Sequence, residues 1–141
     1  MITIADADLY LWSGQMIRFQ IIGETPSKKN SKIRTRSGYM IPSKAHQRWH
    51  EDAMLQLSAQ ICRLPADDRP QQIETPVRIY LTFIHGDWVH RDSDNQTASI
   101  MDLLQDAKVL SDDRLEIVRE IHIKNDYEKN KARCLIEIER V

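Results

Sequence analysis

Three aspartates have the residue type and the spacing needed to hold a divalent metal ion. Asp92 and Asp94 are separated by one residue, and Asp113 lies nineteen positions after Asp94. In an extended backbone, side chains two residues apart project to the same side, so Asp92 and Asp94 are expected to converge on one cation. Carboxylate oxygens are the ligands that Mg²⁺ prefers. The pair therefore predicts a Mg²⁺ site, with Mn²⁺ as an alternative ion.

Asp113 can complete this site if the chain returns to it. The segment between Asp94 and Asp113 predicts a helix, and a strand-helix-strand unit is expected to bring the following loop beside the end of the preceding strand. Such a site suits phosphodiester hydrolysis, because one or two ions neutralise charge on the phosphate and activate water. An isolated Asp-x-Asp is more often a helix cap or a solvated turn, so this structural interpretation stays open.

A basic segment precedes the acidic residues and predicts contact with phosphate. Between Glu24 and Arg48 there are seven basic residues and one acid, a local net charge of about +6, whereas the whole chain carries −1. The candidate DNA-binding residues are Lys28, Lys29, Lys32, Arg34, Arg36 and Arg91. Contacts of this kind position DNA without reading its sequence. A solvated surface loop is an equally good interpretation of the cluster.

The elements that must position these residues are predicted from periodicity and turn residues. The expected strands are 17–22, 38–41, 77–84, 115–124 and 132–140. The expected helices are 44–62, capped by Ser43, and 95–108, with Asp94 at its start. The last two strands are expected to pair as an antiparallel hairpin. The order ββαβαββ predicts an α+β fold, with a mixed or antiparallel sheet packed against two main helices.

The size and composition of the chain indicate one globular domain. It has 141 residues, of which 41% are apolar and 29% charged. The domain is expected to comprise 16–141, and 1–15 are interpreted either as an extension upstream of a start at Met16 or as a loose N-terminal arm. No apolar stretch is long enough to span a bilayer and no basic secretory signal is seen, so a cytoplasmic protein is expected. Cys62 and Cys134 lack the spacing of a zinc site or disulfide scaffold.

The acidic residues and their neighbours resemble the RusA family of Holliday junction resolvases. The resemblance rests on Arg91-Asp92-Ser93-Asp94-Asn95, a helix carrying Asp102, and Asp112-Asp113. It extends to the loop after Pro26, the first helix and the terminal strands, and so covers most of 16–141. It implies a Mg²⁺-dependent, homodimeric endonuclease that resolves four-way junctions by paired nicks in recombination and repair. It also implies that Asp92, Asp94 and Asp113 bind the metal.

One position departs from the family pattern. Many members have a lysine four residues after the second aspartate, where this chain has Ala98. The missing cation can come from Lys28, Lys29, Lys32 or Lys108. The absence of this lysine keeps one alternative open, a four-way-junction binding protein that cuts weakly or not at all. A further alternative, an enzyme that binds a metal-nucleotide, rests on the Asp-x-Asp itself.

Aromatic and histidine residues support weaker hypotheses. Trp88, in the loop before the acids, is interpreted either as a stacking partner for an unpaired base or as an ordinary loop residue. Trp49 is expected in the core. His46 and His50 have a helical spacing that can bind zinc, but no third ligand accompanies them, so a polar helix face is favoured.

Overall fold

A mixed sheet of four strands forms the frame of the molecule. The computed structural model describes residues 16–28 and 32–141, so the predicted extension 1–15 lies outside the described residues. The elements are β1 (Met16–Ile22), β2 (Lys32–Arg34), β3 (Met40–Pro42), α1 (Lys44–Arg63), β4 (Val77–His85), α2 (Ser93–Asp106), β5 (Val118–Tyr127) and β6 (Arg133–Arg140). The sheet order is β1-β6-β4-β5, and β2 pairs with β3 separately. The predicted α+β fold with two main helices is confirmed. Neither of these two described helices is long and apolar enough to cross a membrane.

Apolar residues that alternate along the strands cover one face of the sheet. Every second side chain of a strand points to the same face, and the register aligns these side chains into rows across β1, β6 and β4. The three rows are Ile17-Ile138-Ile79, Phe19-Ile136-Leu81 and Ile21-Cys134-Phe83. The helix residues buried in the same core are Ala53, Leu57, Ile100, Met101, Leu103 and Leu104. Both helices therefore pack on this face of the sheet.

The outer edge of β1 is closed by two glutamines of α1. Gln60 accepts a hydrogen bond from the Gln20 amide at 2.9 Å and donates to the Gln20 carbonyl at 2.6 Å. Gln56 makes the same two contacts with Ile22, at 2.7 and 3.1 Å. These side-chain amides take the place of a neighbouring strand, because they satisfy backbone groups that an edge strand leaves unpaired.

Replacing Gln60 with alanine is expected to lower the free energy of unfolding by about 1–3 kcal/mol, because two backbone groups beneath a buried side chain lose their partners. Gln56→Ala is the matched control. It removes two bonds of the same kind at an exposed position, where water can replace them, so a smaller loss is expected. Chemical denaturation measures both. A loss for Gln60→Ala no larger than that for Gln56→Ala would contradict the role given to the buried glutamine.

The predicted hairpin between the last two strands is wrong. β5 pairs in parallel with β4, whereas β6 lies between β1 and β4 and is antiparallel to both. Because α2 returns the chain to the start of β4, the next strand runs parallel to β4. The connection 128–132 then crosses the end of β4, where the Glu128 and Asn130 amides donate to the His85 and Gly86 carbonyls at 2.9 and 3.1 Å. β4 thus separates two strands that are neighbours in the sequence.

Gly86 permits this crossing. A Cβ atom at Gly86 would lie 3.3 Å from the Ala132 amide nitrogen, which is tighter than ordinary contact. Asn130, in the same crossing, has the left-handed φ of 59° that asparagine tolerates better than most residues. Neither requirement is visible in the alternation of the strands. β2, which lies inside the basic segment, was not predicted either.

Candidate functional site

Asp92 and Asp94, the acid pair, lie at the start of α2, beyond the carboxyl end of β4. Asp92 is the N-cap residue: its Oδ1 accepts from the Asp94 amide at 3.1 Å, and its Oδ2 accepts from the Asn95 side-chain amide at 3.0 Å. α2 begins at Ser93, so the extended backbone assumed through 92–94 is wrong: Asp92 is the extended N-cap residue, and Asp94 lies in the first helical turn. Both are exposed. No partner is found for the Asp94 carboxylate among the described residues, which leaves it free to bind a ligand.

A cleft of about 510 Å³ opens beside Asp92, between the segments 24–27 and 90–96. Two buried polar atoms of its lining residues, Oγ1 of Thr25 and Oε1 of Gln96, have no partner within the described part of the chain. Mg²⁺ is usually held by one or two carboxylates and keeps several waters, which need hydrogen-bond acceptors. The exposed carboxylate of Asp92 on this cleft, and that of Asp94 two residues later, therefore fit a hydrated divalent cation.

The third predicted ligand, Asp113, lies at the other end of the sheet. It belongs to the loop after α2, beside the start of β4, where the Val77 amide donates to the Ile117 carbonyl at 2.7 Å. α2 has 14 residues and spans about 21 Å between this loop and Asp92. The expectation that the loop returns to the end of the strand is therefore wrong. Among the residues that the structure describes, no three histidine, cysteine or acidic side chains are arranged to hold a metal.

Polar residues where the apolar rows end connect the sheet to the acid pair. Asn125 of β5 occupies the register position of Phe83, and its side-chain amide donates to Ser93 Oγ at 2.8 Å. Its carbonyl oxygen lies 2.8 Å from Nε2 of His85, and Nδ1 of His85 lies 3.1 Å from both carboxylate oxygens of Glu24. None of these contacts was predicted from the sequence. For His85 and Asn125 the signal is a polar residue where the alternation predicts an apolar one.

Arg91 braces the loop that carries the acid pair. Its guanidinium donates to both carboxylate oxygens of Asp87, at 2.7 and 3.2 Å, and lies 3.4 Å from Glu24. The hydrogen bonds to Asp87 raise the pKa of Arg91, and the Arg91 guanidinium lowers the pKa of Asp87. The Arg91 charge is thus already shared with two acids. Its contact with DNA stays a prediction.

Two of the candidate DNA-binding residues lie on the hairpin of β2 and β3. Arg34 and Arg36 are exposed there, and the Thr35 amide closes the turn by donating to the Tyr39 carbonyl at 2.8 Å. The hairpin therefore presents two guanidinium groups to solvent. Lys29 and the side chain of Lys32 lie outside the described residues, so the remainder of the predicted basic surface stays a prediction.

Lys28 lies along α2, next to Ala98. Its amide donates to the Asn95 carbonyl at 3.2 Å, and its Nζ lies 2.7 Å from the Asp102 carboxylate. Asn95, Ala98 and Asp102 share one helix face, because they are spaced three and four residues apart. The structure therefore places a lysine side chain beside the position at which the sequence lacks one.

The two histidines of α1 make contacts between the helices. His46 is buried, with its Nε2 3.2 Å from Ser99 Oγ, and burial lowers the pKa of His46. His50 forms an ion pair with Asp106 at 2.9 Å when the ring is protonated. The predicted polar face of α1 is therefore partly wrong, since one of its two rings is enclosed. Trp49 packs against the core, as expected.

Residues 23–139 match the protein-family model described as Endodeoxyribonuclease RusA. The matched segment includes both helices, β4, β5 and all three candidate metal ligands. No curated protein sequence matches the chain.

Proposed function

Because the chain belongs to the RusA endodeoxyribonuclease family, we propose that it is a Mg²⁺-dependent, homodimeric endonuclease that resolves Holliday junctions by paired nicks in DNA recombination and repair. Family membership supports nuclease activity and the binding of branched DNA. One observation supports the metal-dependent mechanism: two exposed carboxylates, of the N-cap residue Asp92 and of Asp94 in the first turn, lie at the start of α2, and that of Asp94 has no partner among the described residues.

Asp92 and Asp94 are the residues of this chain that would hold the ion. A bound Mg²⁺ supplies charge neutralisation at the scissile phosphate and activation of a water molecule. The protein fixes where this occurs. Asp92 is oriented by its two capping hydrogen bonds, and Ser93 is tied to Asn125 of the sheet. The amino terminus of α2 also favours the binding of a phosphate group.

A second copy of the chain is proposed to supply the third carboxylate. In one protomer, Asp113 and the acid pair lie at opposite ends of β4. When a twofold axis pairs an edge strand with the same strand of a second protomer, the two strands run antiparallel. The carboxyl end of each strand then lies against the amino end of the other. Asp113 of the partner subunit then approaches the acid pair, and the two resulting sites are equivalent. Two equivalent sites suit a junction that is cut by paired nicks.

The edge strand β5 is the proposed surface for this pairing. Asn125, beside the acid pair, lies near its end, and Asp113 lies five residues before its first residue, Val118. Unlike β1, β5 has no glutamine cover among the described residues, and an open edge strand is a template for pairing with another chain. Ile121 and Ile123 are 40% and 38% exposed along it. Antiparallel pairing of two β5 strands would bury these side chains and bring each acid pair toward the opposite Asp113.

Lys28 is proposed to replace the lysine that is absent at Ala98. Its backbone is fixed to the first turn of α2, and its ammonium group needs only to leave Asp102 to approach a phosphate. Both partners of this ion pair are partly exposed, so separating them in favour of a phosphate has a small energetic cost. Lys108, at the opposite end of α2, has no such position in the same protomer.

A synthetic four-way junction tests the proposed function. With Mg²⁺ or Mn²⁺ we expect two symmetric nicks in strands of like polarity, and no nicks in EDTA or in a linear duplex of the same sequence. Lys28→Met is expected to slow cutting by about 10²–10³-fold, because a charge next to the reacting phosphate is lost, whereas Lys44→Met serves as the control. Failure to nick junctions of several sequences with either metal would contradict the proposed function. Unchanged cutting by Lys28→Met would remove only the lysine assignment.

A second candidate function is binding of four-way junctions with weak or no cutting. It is favoured by Ala98 and by the ion pair that engages Lys28. This alternative predicts tight junction binding without nicks, and binding that is unchanged or improved in Asp113→Asn. The same junctions, tested for binding in a gel-shift assay and for nicks with Mg²⁺, separate the two functions, because both predict binding and only the first predicts nicks.

A further inference from the structure

Two aromatic side chains stack on each other at the sheet end that carries the acid pair. Trp88, in the loop after β4, lies against Tyr127, the last residue of β5, with ring centroids 4.2 Å apart and planes inclined by 24°. Trp88 is nevertheless 80% exposed, and its neighbour Val89 is 64% exposed. Because Tyr127 covers one face of the indole, the opposite face is open to solvent.

The loop that carries Trp88 is held in place on both sides. Asp87 accepts hydrogen bonds from the Val89 amide at 3.0 Å and from the Arg91 guanidinium at 2.7 Å. The carboxylate of one residue therefore closes the turn around Trp88. An exposed indole on a braced loop loses little freedom when a flat ligand stacks on it.

The surroundings of this pair indicate the chemistry of the ligand. A cleft of about 290 Å³ is lined by Trp88 and Tyr127 and by polar residues that include His85, Asn125 and Asp126. Its acidic members, Asp87 and Asp126, disfavour a phosphate but can accept hydrogen bonds from an amino group. A flat ring with a polar edge and an exocyclic amine, as in adenine, cytosine or guanine, matches this lining.

Asn125 connects the aromatic pair, Trp88 and Tyr127, to the acid pair. Asn125 lines the cleft, and its side chain donates to Ser93 Oγ, between Asp92 and Asp94. A base stacked on Trp88 would therefore lie close to a phosphate bound at the start of α2. Bases in a continuous duplex are already stacked on both faces, so this place is available only to a base freed at a branch point.

We propose that Trp88 and Tyr127 form a stacking platform for an amino-bearing base unstacked at the branch point, next to the phosphate that is cut. This inference rests on the proposed function, because it requires that branched DNA binds at the acid pair. It adds a contact by which the protein distinguishes a junction from a linear duplex. Stacking of a base on an aromatic side chain contributes to single-strand recognition in many proteins and tolerates different bases.

Binding measurements in EDTA, where no cutting is expected, test the platform on the full chain. Trp88→Ala is expected to weaken binding of a four-way junction by about 5- to 150-fold, with no change for a linear duplex. Trp88→Phe is expected to retain most of the junction affinity because it keeps an aromatic face. Leu55→Ala is the control, since Leu55 is a 72% exposed apolar residue on α1. A junction with 2-aminopurine at the branch reports stacking, and its fluorescence in the saturated complex is expected to rise when Trp88 is replaced by alanine.

The outcomes separate this inference from the proposed function. If the wild-type protein prefers and cuts junctions but Trp88→Ala matches Leu55→Ala in affinity and 2-aminopurine signal, the platform is overturned and the proposed function stands. Equal weakening of junction and duplex binding by Trp88→Ala also overturns it, because such a contact does not depend on a freed base. A wild-type protein without preference for junctions contradicts both.

Discussion

Replacing Asp94 with asparagine is expected to reduce junction cutting by about 10³-fold or more, because loss of a metal ligand removes several kcal/mol of transition-state stabilisation. Asparagine has nearly the same shape, and the Asp94 side chain makes no hydrogen bond among the described residues, so folding is expected to be unaffected. The backbone amide of residue 94 still donates to Asp92 Oδ1, so the helix cap is retained. Junction affinity in EDTA is expected to be unchanged or higher, because a negative charge facing the DNA has been removed.

Asp94 gives a cleaner test than Asp92. Asp92 accepts two hydrogen bonds at the helix terminus, so its replacement alters the cap of α2 as well as the proposed ligand set. Loss of an N-cap carboxylate commonly costs about 1 kcal/mol of stability, which would mix a folding effect with a catalytic one. Asp67→Asn, in the exposed turn after α1, controls for the removal of one surface charge. Cutting by Asp94→Asn at more than a tenth of the wild-type rate would contradict a ligand role for Asp94.

The core could be predicted from the sequence because buried apolar residues recur with the period of the strand or helix that carries them. Alternation in β1 and β4 and the helical spacing of Ile100, Leu103 and Leu104 each mark a face that packs on the sheet. The acid pair was also predicted, although for the wrong local reason: Asp92 and Asp94 share a helix start and not an extended strand. Residue type thus identified Asp92 and Asp94 as candidate ligands without knowledge of the backbone conformation, and their metal binding stays a prediction.

The placement of the acids in space could not be predicted, because it depends on which strands are neighbours. Local patterns show that β5 and β6 are strands but do not show that β4 lies between them. The parallel pairing of β4 and β5 fixes the acid pair and Asp113 at opposite sheet ends. The support from His85 and Asn125 is a contact between strands 40 residues apart, which no local pattern reveals. Sequence motifs therefore identified the candidate ligands. The sheet topology separates Asp113 from the other two, so a single chain does not explain how all three bind one ion.

Mixing two inactive variants answers that question, and cutting is expected to return. Asp94→Asn and Asp113→Asn are each expected to be inactive as homodimers, because every site lacks one ligand. In a mixed dimer with shared sites, one site receives both altered residues and the other receives none. Random exchange makes half of the dimers mixed, each with one intact site of two, so about a quarter of the wild-type nicking is expected. The products are expected to be single nicks, because the second site of each mixed dimer is inactive.

The same experiment distinguishes a shared site from a site within one protomer. If each chain formed its own complete site, every site in the mixture would lack a ligand and no cutting would return. Two variants with the same change, mixed in the same way, control for exchange alone. Introducing Ile121→Lys and Ile123→Lys into both variants places two charges per chain on the proposed β5 interface. The dimer is then expected to dissociate in sedimentation measurements, and the recovered cutting is expected to disappear with it. Recovery that persists in monomers would contradict the β5 pairing, and absence of recovery in intact dimers would contradict the shared site itself.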